Sequence, residues 1–395
     1  MRVSARAQAI EPFFVMEIAK AAQAIGATES SMGEMIHLNI GEPDFKAAPL
    51  VEQAAQEAIS SGLTQYTHAS GTHALRQAIS QWYLQRWGLH IEPARITVTA
   101  GASAALLLSA LALIEAGDEI LMPDPSYACN RHFVSVAQGV PTLLPTNAQS
   151  KFQLSASQIE SHWQHNTRGV LLASPSNPTG TCIDFEELKR IHHFVKARSG
   201  ITLVDEIYLG LAFGEQEAQS ALAIDDEIIS INSFSKYFNM TGWRLGWVVT
   251  PLELAPTFER LAQNLFICPS SIAQHAALAC FEPSSLNLFE QRKASFKARR
   301  DYLVPQLKAL GFDVPVTPDG AFYCWADCRP LYTRFGVDNS WDFTMKLMHE
   351  CRIALAPGRD FGQHEVEHYV RISIASSMKD LEQAVARMHQ FWSQR

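Results

Sequence analysis

The 395-residue chain is long enough for two or three domains and a sizeable buried core, which excludes a small scaffold stapled by disulfides. Hydrophobic residues make up 47% and charged residues 18%, with 21 Gly and 19 Pro scattered without period, so disordered, collagen-like and low-complexity chains are also excluded. A formal net charge of −8, with no run of basic residues, gives no electrostatic support for nucleic acid binding and points to small-molecule partners.

At the N-terminus, MRVSARAQAI carries charge, and the apolar stretch Phe13 to Met16 is broken at once by Glu17, so no secretory signal is expected. Cys129, Cys182, Cys268, Cys280, Cys324, Cys328 and Cys351 show no CxxC spacing, and their odd number cannot pair fully within one chain. Reduced thiols and a cytoplasmic location are the expectation.

Ile96 to Ile114 is uncharged over 19 residues, enough on count alone for a membrane span. Its composition predicts something else: Ile96-Thr97-Val98-Thr99 is β-branched throughout, Gly101 punctuates it, and Ala104 to Ile114 is rich in Ala and Leu, giving strand, turn and buried helix. Further apolar runs of strand length are Glu119 to Met122, Thr142 to Leu144, Gly169 to Ala173, Ile201 to Val204, Ile228 to Ile231 and Leu245 to Thr250. Between two of them, Asp184 to Arg198 opens on a capping residue, places Glu186 and Glu187 in its first turn and Lys196 and Arg198 in its last, as a crossover helix does. Apolar strands alternating with helices predict a mostly parallel sheet covered on both faces, with chemistry gathered at the carboxyl ends of its strands.

After about Cys280 the pattern changes to a charged helix through Phe289 to Leu310 and short segments such as Phe322-Tyr323-Cys324-Trp325 and Val370 to Ile374. The expected division is a large domain over 46–285 and a smaller α+β domain built from 1–45 and 286–395, with the N-terminal segment crossing to join the C-terminal part.

The most informative string runs from Ser233 to Gly246, SFSKYFNMTGWRLG, directly after the strand-like Ile228 to Ile231. It gathers hydroxyls (Ser233, Ser235), an amine (Lys236) and a guanidinium (Arg244) at a strand end. An apolar flank disfavours the ammonium form of Lys236, and a neutral amine is what a Schiff base with an aldehyde requires. Ser233, Ser235 and Arg244 suit a phosphate.

This string resembles the lysine-attachment signature of the class I/II aminotransferases, the fold type I enzymes dependent on pyridoxal 5′-phosphate. The rest of the chain resembles the family in order: Asn39-Ile-Gly41-Glu-Pro-Asp44, Tyr66, Thr99-Ala-Gly101-Ala-Ser103, Pro125-Ser-Tyr127, Ser176-Asn177-Pro178-Thr179-Gly180, Asp205-Glu206-Ile207-Tyr208 and Tyr369-Val-Arg371-Ile-Ser373. The resemblance implies an α/β fold whose large domain has a mostly parallel seven-stranded sheet.

It also implies roles. Lys236 holds the cofactor as a Schiff base and moves protons; Asp205 faces the pyridine nitrogen; Tyr208 and Asn177 reach the phenolic oxygen. Gly101, Ala102 and Ser103 offer backbone amides to the phosphate beside Ser233, Ser235 and Arg244, and Tyr127 stacks on the ring. Arg371 grips the substrate α-carboxylate, with Gly41 and Asn177 also on the substrate side. Tyr66 reaches the neighbouring subunit's phosphate, which implies a homodimer with shared active sites.

The activity so implied is ping-pong transfer of an amino group from an L-amino acid to a 2-oxo acid. The alternative on the same scaffold is a carbon–sulfur β-lyase or a decarboxylase. A cofactor-binding transcriptional regulator is opposed by the lack of a helix-turn-helix extension or basic face. One departure bears on substrate: a prokaryotic aspartate-using subgroup carries Lys where Ser103 stands, leaving Arg131 as a possible substitute partner for a side-chain carboxylate. Finally, His364-Glu365-Val366-Glu367-His368 matches the HExxH spacing of zinc peptidases, but the flanking Gly358 and Gly362 and the strand-like Tyr369 to Ile374 leave no room for the required helix. No metal, membrane or nucleic acid partner is expected.

Overall fold

The computed structural model describes residues 1–27, 32–214 and 218–394. Seven strands form the central sheet: β1 (Ile96–Thr99), β2 (Glu119–Asp124), β3 (Val140–Pro145), β4 (Thr167–Ala173), β5 (Ile201–Asp205), β6 (Ile229–Ser233) and β7 (Gly246–Val249). Their spatial order is β1-β7-β6-β5-β4-β2-β3, with β7 antiparallel to both neighbours and the other pairs parallel. The expected mostly parallel seven-stranded α/β sheet is the one found.

Side chains leave successive strand residues on opposite faces, and both faces are buried. Ile120, Met122, Leu171 and Leu203 pack into one apolar cluster, while Leu121, Val170, Leu172 and Val204 pack into another across the sheet. Each such side chain contributes about 1.5–3 kcal/mol by leaving water. The crossover helix Phe185–Lys196 closes the second face, and the Asp184 carboxylate accepts the Glu187 N–H at 3.0 Å as its N-cap.

The uncharged stretch read as strand, turn and helix is β1 followed by the helix Gly101–Leu113, which starts three residues earlier than its Ala-Leu run predicts. Gly101, with φ +79°, turns the chain straight from strand to helix, so the amides expected in a loop belong to the helix's first turn instead. Among the described residues no helix is long and apolar enough to cross a membrane.

The charged helix runs Pro283–Ala309 and buries Phe289, Phe296 and Leu303 at heptad spacing. Beyond it lies a three-stranded antiparallel sheet of β8 (Tyr323–Asp327), β9 (Ala356–Pro357) and β10 (Tyr369–Ser373), ordered β9-β10-β8. Ile36–His37 pairs in parallel with Ile353–Ala354, so the N-terminal segment is bonded to the C-terminal part of the chain. The HExxH spacing falls on an irregular turn: Glu365 is left-handed with φ +53°, a 3₁₀ turn covers Val366–His368, and β10 follows at once.

Candidate active site

A cavity of about 570 Å³ opens at the carboxyl ends of β4, β5 and β6. Their last residues, Ala173, Asp205 and Ser233, all line it, and strand pairing holds Ala173 opposite Asp205. Of the residues singled out by the sequence, Lys236, Asp205, Tyr208, Asn177, Tyr127 and Gly41 face this cavity, as do Ala102, Ser103, Ser233, Ser235, Arg244 and Arg371.

Lys236 follows β6, and its Nζ donates to the Gly41 carbonyl at 2.6 Å. The ammonium sits 5.7 Å from the Tyr208 ring centroid and 5.6 Å from that of Phe322. Burial, with help from the positive charges of Arg371 and Arg244, brings its pKa down to about 8, although Glu42 and Asp205 pull the other way. A half-buried amine so poised is available in neutral form near physiological pH.

Asp205 and Glu206 are consecutive buried carboxylates with opposite provisions. Glu206 accepts from Ser220 Oγ at 2.8 Å, the Ala221 N–H at 2.7 Å and Ser230 Oγ at 2.5 Å. Asp205 points into the cavity and accepts the Ile207 N–H at 3.1 Å. Burial pushes Asp205 up to about 7, with the Glu206 charge adding to it and the Ile207 N–H and Lys236 opposing. A cation-like donor in the cavity would restore the ionised form.

This sets a pH dependence whose sign can be worked out. The unfolded chain ionises Asp205 near pH 4, whereas the folded protein holds the proton up to about 7. The stabilisation is complete below about pH 4 and is lost as pH rises through 7, amounting to roughly 4 kcal/mol in full. Protein stripped of cofactor will therefore lose denaturant stability between about pH 4 and 7, and Asp205→Asn will flatten that slope. Equal slopes for the two proteins would show that Asp205 is not the group responsible.

The corner suited to a phosphate is built from two elements pressed together. A Cβ placed on Gly246 would meet the Ala102 nitrogen at 2.8 Å, so β7 packs directly against the first turn of the helix Gly101–Leu113. A Cβ on Gly101 would come within 2.5 Å of Arg244 Nη2, so only glycine lets that guanidinium lie over the helix start. Gly101 itself stands behind Arg244, and Ala102 and Ser103 reach the cavity. The Arg244 backbone is left-handed, φ +53°, and its Nη1 donates to the Thr241 carbonyl at 3.0 Å. Ser233 Oγ accepts the Ser235 N–H at 3.0 Å and donates to the Leu245 carbonyl at 3.3 Å, and both serines line the cavity. Helix-start amides, two serines and a guanidinium are the kinds of group that favour an anion.

At the other end Arg371 on β10 is 2% exposed. Its Nη1 donates to Asn177 Oδ1 at 2.9 Å and its Nη2 to the Asn39 carbonyl at 2.6 Å, while Nε has no partner. Among the described residues no carboxylate is within ion-pair distance of it, so its hydrogen bonds go to neutral acceptors and the Asp360 carboxylate acts on it only at longer range. Such a charge is costly unless an anion meets it. The guanidinium lies 4.3 Å from the Tyr323 ring centroid, and the Tyr323 and Tyr208 hydroxyls share a 2.8 Å hydrogen bond.

Some lining residues escaped the sequence reading. Tyr323 joins the site through the side-chain alternation of β8, and Phe13, Val15, Met16 and Ala19 bring an apolar wall from the N-terminal segment. Neither carries a motif; only strand register and chain packing reveal them. Tyr66 is not brought to the cavity by its own chain and stands 84% exposed. Arg131 does not line the cavity either; it sits on the helix Ala128–Val136, where its charge acts on Asp124 and Asp360. It is therefore not the substitute partner for a side-chain carboxylate.

The residues present fit pyridoxal phosphate: a half-buried amine, a buried carboxylate short of donors and a corner suited to an anion share one cavity. The family model for aminotransferase class I and II matches residues 33–388. The chain is 35% identical over 388 residues to the valine–pyruvate aminotransferase of Mycobacterium tuberculosis, covering 98% of this chain and 97% of that protein. It is 32% identical over 399 residues to the aspartate aminotransferase of Geobacillus stearothermophilus, with 100% of each covered. The crystal structure of an aminotransferase from Mycobacterium tuberculosis superposes with a TM-score of 0.94 at 35% identity, covering 100% of both chains. The chain belongs to the class I and II aminotransferases, and is a pyridoxal phosphate-dependent enzyme that moves amino groups between amino acids and 2-oxo acids.

Proposed function

We propose that the preferred donors are L-amino acids with apolar side chains, and that Lys236 is the residue that attaches the cofactor and moves the proton. The observation that carries this is the cavity wall. Its cations are Lys236, Arg244 and Arg371, and on the substrate side it presents Phe13, Val15, Met16, Ala19, Ile40 and Ile207. With Lys236 and Arg244 committed to the cofactor and Arg371 to the α-carboxylate, this chain offers no cation for a second carboxylate. Ser103 contributes only a hydroxyl. The name of the valine–pyruvate relative supports the same reading.

When bound, pyridoxal phosphate supplies an aldehyde that condenses with amines and a ring that withdraws electrons. Asp205 holds the ring nitrogen in its protonated form, and Tyr208 and Asn177 donate to the phenolic oxygen. Ala102, Ser103, Ser233, Ser235 and Arg244 hold the phosphate. Arg371 clamps the α-carboxylate, fixing the α-carbon beside Lys236 Nζ, which would take the α-proton and deliver it to the cofactor's former aldehyde carbon. Tyr127, whose ring meets Phe13 edge-on at 6.3 Å, backs the cofactor ring.

The test is a donor panel, with a 2-oxo acid as acceptor and products assayed. Valine, leucine and phenylalanine are expected to exceed aspartate in kcat/KM by roughly 10²-fold, because burying a carboxylate without a partner is penalised. Aspartate as the best donor would overturn the assignment, and pyruvate with ammonia would mark elimination.

Supporting a homodimer, Tyr66 is exposed and does not line its own chain's cavity, and Leu63, Leu265 and Ile267 are exposed as well. Seven free cysteines support a reducing, cytoplasmic location. The division into 46–285 on one side and 1–45 with 286–395 on the other is supported by the separate sheets and by the Ile36–His37 pairing.

A further inference from the structure

We propose that Asp360 is a positioning residue that hooks the N-terminal segment over the substrate cavity and so sets the preference for apolar side chains. The inference rests on the donor class proposed above. The helix Phe14–Gly26 begins on Phe13, which makes no side-chain cap hydrogen bond, so its first amides would be left without partners. Asp360, 346 residues away in sequence, supplies what Phe13 does not: Oδ1 accepts the Phe14 N–H at 2.7 Å and Oδ2 the Val15 N–H at 2.5 Å. The carboxylate is 1% exposed, and anions are favoured at a helix N-terminus. Burial raises its pKa to about 6 and the two N–H groups, with Arg371 and Arg131, hold it down, so the hook is ionised at neutral pH.

Of the two hooked residues Val15 lines the cavity itself, and the pair is flanked by Phe13 and Met16, which line it too. Val15 packs with Trp325, Phe361 and Val366, Phe14 meets the Trp341 ring edge-on at 5.9 Å, and Phe13 and Met16 are left facing the cavity beside Tyr127. Phe361, the neighbour of Asp360, lies 4.9 Å from the Arg371 guanidinium. One short turn thus touches both the wall that meets a side chain and the arginine proposed to grip the carboxylate.

The test uses holoenzyme and two variants, Asp360→Asn and Met16→Ala. Asp360→Asn keeps size but loses one acceptor, so hydrogen exchange of the backbone amides at 14 and 15 should quicken roughly tenfold. KM for leucine should rise about tenfold, with KM for alanine changed less than twofold, because only the longer side chain reaches the wall. Met16→Ala, at an exposed position that folding tolerates, should raise KM for leucine and leave exchange at 14 and 15 as it was. Unchanged exchange in Asp360→Asn, equal losses for leucine and alanine, or an unaltered leucine KM in Met16→Ala would each overturn the hook. In the unsubstituted enzyme, amides at 14 and 15 that exchange as freely as an uncapped helix start would do the same, whatever the variants do. If aspartate proves the best donor while exchange still responds to Asp360→Asn, the donor class fails and the hook stands.

Discussion

Lys236→Ala will lower kcat for transamination by roughly 10⁴-fold, the upper range for losing a positioned acid–base group. The amine has no understudy: the other cations of the cavity are the guanidiniums of Arg244 and Arg371, which offer no amine for a Schiff base, whereas the surroundings of Lys236 bring its pKa down to about 8. The anion corner at Ala102, Ser103, Ser235 and Arg244 stays intact in this variant, so cofactor should still be retained, now without covalent attachment. Visible absorption of the dialysed protein, read beside kcat, separates the two effects. Activity within tenfold of the unsubstituted enzyme would remove Lys236 from the chemistry altogether.

Arg371→Lys will lower kcat/KM by roughly 10²–10³-fold, equivalent to about 3–4 kcal/mol of lost contact with a desolvated carboxylate. Lysine keeps the charge but cannot present a planar fork, and it cannot at once reach Asn177 Oδ1 and the Asn39 carbonyl as the guanidinium does at 2.9 and 2.6 Å. The loss should fall on every donor alike, since all share the α-carboxylate, and cofactor affinity should be unchanged. A loss confined to one class of side chain would mean that Arg371 recognises the side chain instead.

The cofactor half of the site was legible because its chemistry is written in short contiguous strings. A strand end followed by a turn, as at Asp205 to Tyr208 or Ser233 to Gly246, delivers its own side chains to the place where ligands bind, and the strand pattern announces where that place is. The start of the helix at Gly101 was misplaced by three residues, because an Ala-Leu run marks a helix interior and says nothing of a glycine with φ +79° that lets it begin sooner. The substrate half was largely hidden. Tyr323 enters through the register of β8, Phe13 and Val15 enter through packing against residues more than 300 positions away, such as Trp325 and Phe361, and Met16 follows them on the same helix. The HExxH string shows the converse: spacing alone suggested chemistry that the left-handed Glu365 backbone does not allow.

The two hydrogen bonds of Arg371 span 194 and 332 residues of sequence, tying the start, middle and end of the chain at one guanidinium. The groups proposed to hold the cofactor of their own subunit lie between Gly101 and Gly246 and leave the ribosome well before β10 does. A chain still being made can thus complete its anion corner and its lysine while the carboxylate clamp does not yet exist. Order of synthesis brings out the proposed reactive amine first and the proposed carboxylate clamp last, so a product cut short before β10 lacks Arg371.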